Sequence, residues 1–198
     1  MKQTVFIVSV IAFIGGLIAA QQFLSTPNKP SKPIPIAGKQ FGGDFTLNEK
    51  GAAPVSLSDY RGKVVVMYFG FASCPDVCPT SLAVIGSAMK KLSEKELANV
   101  QGIFISVDPE RDNGEKLKEY AQYFHKNFVG ITGTPEEVAK VARQYGAYYA
   151  KVDSDSALNY LVDHTSTTYI IGRDVQFVAS RPHGASADEV LAGIREAL

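Results

Sequence analysis

An α/β fold with a central mixed sheet flanked by helices is predicted by three observations. Two mostly apolar runs rich in β-branched residues, 63–69 and 100–107, read as strands buried on both faces. A helical period follows each of them, the pattern of a βαβ unit with parallel strands. Two later runs, 167–171 and 175–178, enclose Gly172-Arg173-Asp174, a tight hairpin signal that adds antiparallel strands to the same sheet.

The elements follow in order. Residues 5–20 are uncharged and almost wholly apolar, with Lys2 the only charged side chain ahead of them. Gln21, Gln22, Phe23 and Leu24 extend the run through an interface, so residues 1–24 read as a transmembrane anchor. A cleaved signal segment is the competing reading, but Ile18 occupies a place where signal peptidase prefers a small residue. Either reading exports the body of the protein; for a bacterial chain that is the periplasmic face of the inner membrane. Within residues 25–38, the stretch 25–35 holds four prolines in eleven residues, a stiff extended tether. Residues 39–198 then suit one compact domain.

Within that domain, 45–47 and 55–57 flank a turn at Glu49-Lys50-Gly51, an entry hairpin. Asp76 is a candidate N-cap for a helix reaching about Lys91, with Pro79 tolerated in its first turn. Leu117, Tyr120, Ala121 and Phe124 mark one face of a further helix. A short strand at 128–131, a helix at 135–145 and a final helix opened by Ser186 or Asp188 complete the series. A βαβ unit followed by αββα is a thioredoxin-like arrangement. Twenty basic and twenty acidic side chains leave no net charge, so the electrostatic footprint of a nucleic-acid binder is absent.

The two cysteines of the chain, Cys74 and Cys78, lie where the first buried strand meets its helix. Free amides and the helix dipole favour thiolate at such a place, which suits redox or metal chemistry. Three residues separate the thiols, Pro75, Asp76 and Val77, where a disulfide oxidoreductase of the thioredoxin type has two. Of the three histidines, His125 reads as a solvated helix end and His183 as a turn residue in Arg-Pro-His-Gly. His164 stands ahead of the 167–171 strand, whose leading end faces the cysteines in this fold. Thioredoxins usually carry a proline there, and no proline lies between Pro135 and Pro182. An imidazole in that place shifts the site from disulfide exchange toward metal coordination. Asp163 either orients that imidazole or is a plain turn residue. The run Asp108-Pro109-Glu110-Arg111-Asp112 reads as a turn with helix capping.

The runs Tyr-Phe-Gly-Phe-Ala-Ser-Cys-Pro-Asp-Val-Cys-Pro-Thr (68–80), Ser-Val-Asp-Pro-Glu-Arg-Asp (106–112), Gly-Thr-Pro-Glu (133–136) and Val-Asp-His-Thr (162–165) resemble the Sco/SenC family. The resemblance covers the chain from about residue 40 to the C-terminus; Ala72-Ser73 departs from the bulkier pair of many members. It implies a membrane-anchored copper protein of thioredoxin fold that assists assembly of cytochrome c oxidase, with copper held by Cys74, Cys78 and His164. The implied partners are the copper-bearing oxidase subunit, other copper chaperones and the membrane. Thiolates favour Cu(I) and imidazole accepts either oxidation state, so the donor set is consistent with copper. Cu(II) would want a fourth donor, for which water, a carboxylate and a partner residue all stay open. Three ligands do not make a closed structural zinc site.

Three functions compete on these residues. A copper metallochaperone uses both thiols and the imidazole. A thiol–disulfide oxidoreductase that keeps the oxidase cysteines reduced uses Cys74 and Cys78 alone, and oxidation would join those two in a disulfide. A peroxidase of the same fold commonly has Thr or Ser three residues before its reactive cysteine, where this chain has Phe71.

Overall fold

The computed structural model describes residues 41–153 and 160–198. The predicted anchor (1–24) and tether (25–38) lie outside the described residues, among which no helix is long and apolar enough to cross a membrane.

In chain order the elements are β1 (Thr46–Leu47), β2 (Val55–Ser56), a 3-10 turn (Leu57–Tyr60), β3 (Val64–Gly70), α1 (Val77–Lys90), α2 (Glu94–Leu97) and β4 (Val100–Ser106). There follow α3 (Gly114–Phe124), β5 (Phe128–Ile131), α4 (Pro135–Gln144), β6 (Tyr149–Asp153), β7 (Tyr160–His164), β8 (Thr168–Ile171), β9 (Phe177–Arg181) and α5 (Ala187–Ala197). The main sheet has five strands in the order β5-β4-β3-β8-β9. β3, β4 and β5 run parallel, whereas β8 is antiparallel to β3 and β9 to β8. The expected mixed sheet is therefore present, with β3 at its centre.

Every residue of β3 and β4 is buried, which accounts for their largely apolar runs: no face of these strands meets water. Leu82, Ile85 and Met89 of α1 join the same core, as do Val190 and Ile194 of α5, which packs on α1. Three helices begin with a capping box, Ser93 with Glu96, Thr134 with Glu137 and Ser186 with Glu189. Each hydroxyl takes an otherwise free amide, a contact worth about 1 kcal/mol. Asp76 does occupy the N-cap of α1, but its carboxylate makes no cap hydrogen bond. The amides there have another use.

Topology gathers the site. Because β3 and β4 are parallel, the loops leaving their C-terminal ends emerge together, and Val107 N donates to Gly70 O at 2.8 Å. β8 runs the opposite way and pairs Thr168 with Tyr68, so the segment entering β8 arrives at the same edge.

Three details differ from the sequence reading. β9 begins at Phe177, not Val175, because Val175 adopts a left-handed backbone (φ 70°) that closes the turn after β8 while its side chain stays buried. β6 and β7 form an antiparallel hairpin separate from the main sheet, and His164 is the last residue of β7. His125 is buried at 8% exposure instead of solvated; its Nδ1 accepts from Asn127 N at 3.1 Å, and burial lowers its pKa.

Candidate metal centre

The sulfurs of Cys74 and Cys78 and a ring nitrogen of His164 all lie within 4.8 Å of one another. They come from three places. Cys74 follows β3 in a turn closed by Cys74 N donating to Phe71 O at 3.2 Å. Cys78 is the second residue of α1 and fully buried. His164 ends β7, with its Nε2 3.1 Å from Cys78 Sγ. Both thiols are free.

The imidazole is turned for ligation. Its Nδ1 lies 3.2 Å from the carbonyl of Thr165, which can only accept, so Nδ1 carries the proton. That leaves the Nε2 lone pair facing the sulfurs, the arrangement of a metal-bound histidine. The exposed Asp163 is not the partner of Nδ1; the backbone carbonyl does that work. Tyr68 and Phe71 meet the ring edge-on at centroid distances of 6.1 and 5.8 Å and hold its plane.

The two thiols share their ionisation unequally. Hydrogen bonding from Cys78 brings the half-buried Cys74 down to about 4, against the opposing effect of burial; the amides of Asp76 and Cys78 also favour its anion. Those amides belong to the start of α1, so the helix end that Asp76 leaves uncapped is turned on a sulfur. Cys78 moves the opposite way, raised by its bond to Cys74 and by burial. At neutral pH the pair therefore presents one thiolate and one thiol.

Two features of the site were not legible in the sequence. Gly70 gives the Cys78 sulfur its room, for a Cβ there would lie 2.6 Å from Sγ. The run 108–112 is more than a capping turn, since Asp108 and Asp112 are buried in it. Asp112 Oδ2 accepts from Ala72 N at 2.6 Å and from Ser106 Oγ at 2.7 Å, tying the cysteine loop to the end of β4. Burial, the dominant influence, raises its pKa. A hint was available: acidic side chains follow a strand parallel to the one that delivers the thiols. His183 also has a partner, with Nδ1 3.0 Å from Ser81 Oγ across to α1.

Two soft sulfurs and one imidazole fit copper by donor chemistry, and the buried sulfur, the half-exposed sulfur and the oriented Nε2 already converge. The donor set could hold such an ion without rearrangement of the fold.

Comparison with known proteins agrees. The family model described as SCO1/SenC matches residues 35–198. The chain is 38% identical over 164 residues to the mitochondrial Protein SCO1 homolog 1 of Arabidopsis thaliana, covering 82% of this chain but about half, 49%, of that relative's length. It is 34% identical over 200 residues to the SCO2-like protein RP587 of Rickettsia prowazekii, covering 96% of this chain and 94% of the relative. The crystal structure of Arabidopsis thaliana ScoI with copper bound superposes with a TM-score of 0.72 at 37% identity, covering 79% of this chain and 97% of that one. With the family model matching residues 35–198 and the backbone superposing on a solved relative at 37% identity, the chain belongs to the SCO1/SenC family.

Proposed function

We propose that this chain is a copper metallochaperone that holds one copper ion through Cys74, Cys78 and His164 and delivers it to the copper-bearing subunit of cytochrome c oxidase. The carrying observation is the convergence of two sulfurs and a correctly oriented imidazole within 4.8 Å. The copper in the related Arabidopsis structure supports the choice of metal, and the family resemblance supports the oxidase as destination. Copper is cargo in this reading, so the site must release it as well as bind it. Cys78 is closed off in the core, whereas Cys74 is half-exposed and offers the side from which an acceptor's ligand approaches. The thiolate of Cys74 is ready at neutral pH, and binding would displace the proton of Cys78. The apolar segment 5–20 supports attachment to a membrane with the domain on the exported side, the periplasmic face of a bacterial inner membrane.

One observation favours a second reading. A half-exposed cysteine with its pKa lowered to about 4 beside a buried thiol is also the pairing of a thiol–disulfide reductase. Such a reductase would keep the oxidase cysteines reduced before metal arrives. Complementation separates the two. In cells lacking the native protein and grown on limiting copper, His164→Ala should fail to restore oxidase activity, as Cys74→Ser and Cys78→Ser should, with each variant accumulating and folded. Full restoration by His164→Ala alongside failure of the cysteine variants would overturn metal delivery in favour of thiol exchange.

A further inference from the structure

His164 is carried by an element with little support of its own. β6 and β7 pair only with each other among the described residues, and a lone two-stranded hairpin is marginal in water. The cysteines sit on the central strand and its helix, so the distance from imidazole to sulfur depends on how the hairpin is fastened.

The fastening is at Tyr160, the first residue of β7, whose last is His164. Two cations approach the Tyr160 ring, with the Arg111 guanidinium 3.7 Å and the Lys151 ammonium 4.7 Å from its centroid. Its hydroxyl donates to Asp108 Oδ1 at 2.8 Å, and its carbonyl accepts from Arg111 Nη1 at 3.0 Å. Arg111 Nε in turn pairs with Asp108 Oδ2. Asp108 has no side-chain exposure, so these partners take the place of water around its carboxylate. Outside this group, Lys151 of β6 pairs with Glu110 at 2.6 Å. The turn that grips the hairpin also grips the cysteine loop. Arg111 lies 5.7 Å from the centroid of Phe71, whose ring meets His164, and Asp112 holds Ala72 N. A single turn, 108–112, therefore touches both halves of the metal centre while supplying no ligand to it.

We propose that Tyr160, Arg111 and Asp108 form a positioning clamp that fixes His164 against the thiols and thereby sets how much the site favours Cu(II). The inference rests on the copper reading. Two thiolates satisfy Cu(I) by themselves, whereas Cu(II) needs the imidazole nitrogen. Loosening the clamp then costs Cu(II) selectively, and groups that orient a ligand typically matter by about 10–100-fold in metal affinity. Arg111 acts through its planar fork, one nitrogen on a carboxylate and one on a carbonyl while its face covers a ring, so lysine cannot replace it.

The test titrates the purified full-length chain with Cu(II), and with Cu(I) under anaerobic conditions, each against a competing chelator. Tyr160→Leu and Arg111→Lys should lose about 10–100-fold in Cu(II) affinity with Cu(I) affinity near wild type. Their sulfur-to-copper absorption and Cu(II) paramagnetic resonance should move toward those of His164→Ala. Tyr160→Phe keeps the ring beside its cations and loses only the hydroxyl's bonds to Asp108 and Glu110, so it should fall between wild type and Tyr160→Leu. Wild-type Cu(II) affinity and spectra in both Tyr160→Leu and Arg111→Lys would overturn the clamp. So would equal losses for both oxidation states in all three variants, the mark of general unfolding. Failure of the copper reading looks different: wild type would bind no copper, or Cys74→Ser and Cys78→Ser would bind it as wild type does, and the clamp would fall with it.

Discussion

Gly70→Ala offers a sharp test of how the centre is packed, because one methyl group strikes it from behind. Gly70 ends β3 with an ordinary negative φ, so alanine meets no backbone penalty and any effect comes from contact alone. The added Cβ would lie 2.6 Å from Cys78 Sγ, 3.1 Å from Phe104 Cε2 and 3.2 Å from Tyr68 Cε1. Comfortable non-bonded separations are about 3.5–4.0 Å, so the sulfur would have to retreat by about 1 Å and both rings by about half as much. None of these groups has open space behind it, since Cys78, Tyr68 and Phe104 are all fully buried. Overpacking of this kind costs about 1–3 kcal/mol. At about 2–4 °C per kcal/mol for a chain of this size, thermal unfolding followed by circular dichroism should fall by about 2–12 °C. A displacement of about 1 Å is also large against the 3.1 Å between Sγ and His164 Nε2. Copper affinity measured by chelator competition should drop at least tenfold, on the scale of a mispositioned ligand. Wild-type melting together with wild-type copper affinity in Gly70→Ala would refute the packing argument, because it would mean that the sulfur moves freely.

Other outcomes follow from the same geometry. His164→Ala should weaken Cu(II) more than Cu(I), since two thiolates still serve the softer ion; an unchanged Cu(II) spectrum would remove His164 from the ligand set. Cys74 should be alkylated by iodoacetamide at pH 5–6, where an ordinary thiol is silent. A lowered pKa keeps the thiolate present above the folded value, so the rate should fall only as pH drops through about 4. A rate that rises only near 9.0, the ordinary thiol value, would contradict that assignment. Oxidation should join Cys74 to Cys78 and abolish copper binding, as the same sulfurs serve both; intact mass spectra showing a disulfide that still carries stoichiometric copper would break the scheme.

Much of the fold was legible because its signals are local. β3 and β4 announce themselves as largely apolar runs, and α3, α4 and α5 as periodic faces, with a capping residue at Ser186. The hairpin of β6 and β7 was not, for a physical reason. It covers no large core: Lys151, Val152, Asp153 and Asp163 are exposed, so its residues carry no clear alternation. His125 was misread for a related reason. A histidine at a helix end looks solvated until the amides of Asn127 and Phe128 are seen to turn back on its Nδ1 and its carbonyl.

The sequence by itself determined the chemistry: which side chains can bind a soft metal, that two of them stand at a strand–helix junction, and the family to which the pattern belongs. Those properties reside in residue identity and short spacing. Only the tertiary structure decided which nitrogen of His164 faces the sulfurs, that Thr165 and not Asp163 fixes it, and that Gly70 leaves room for Cys78. It likewise decided that 108–112 is a hub joining the thiol loop to the histidine hairpin. Each of these depends on residues far apart in the chain meeting at a few ångströms, as Tyr160 meets Asp108 across 52 positions. Such meetings follow from the sheet order that brings the ends of β3, β4 and β8 to one edge, and periodicity along the chain does not encode that order.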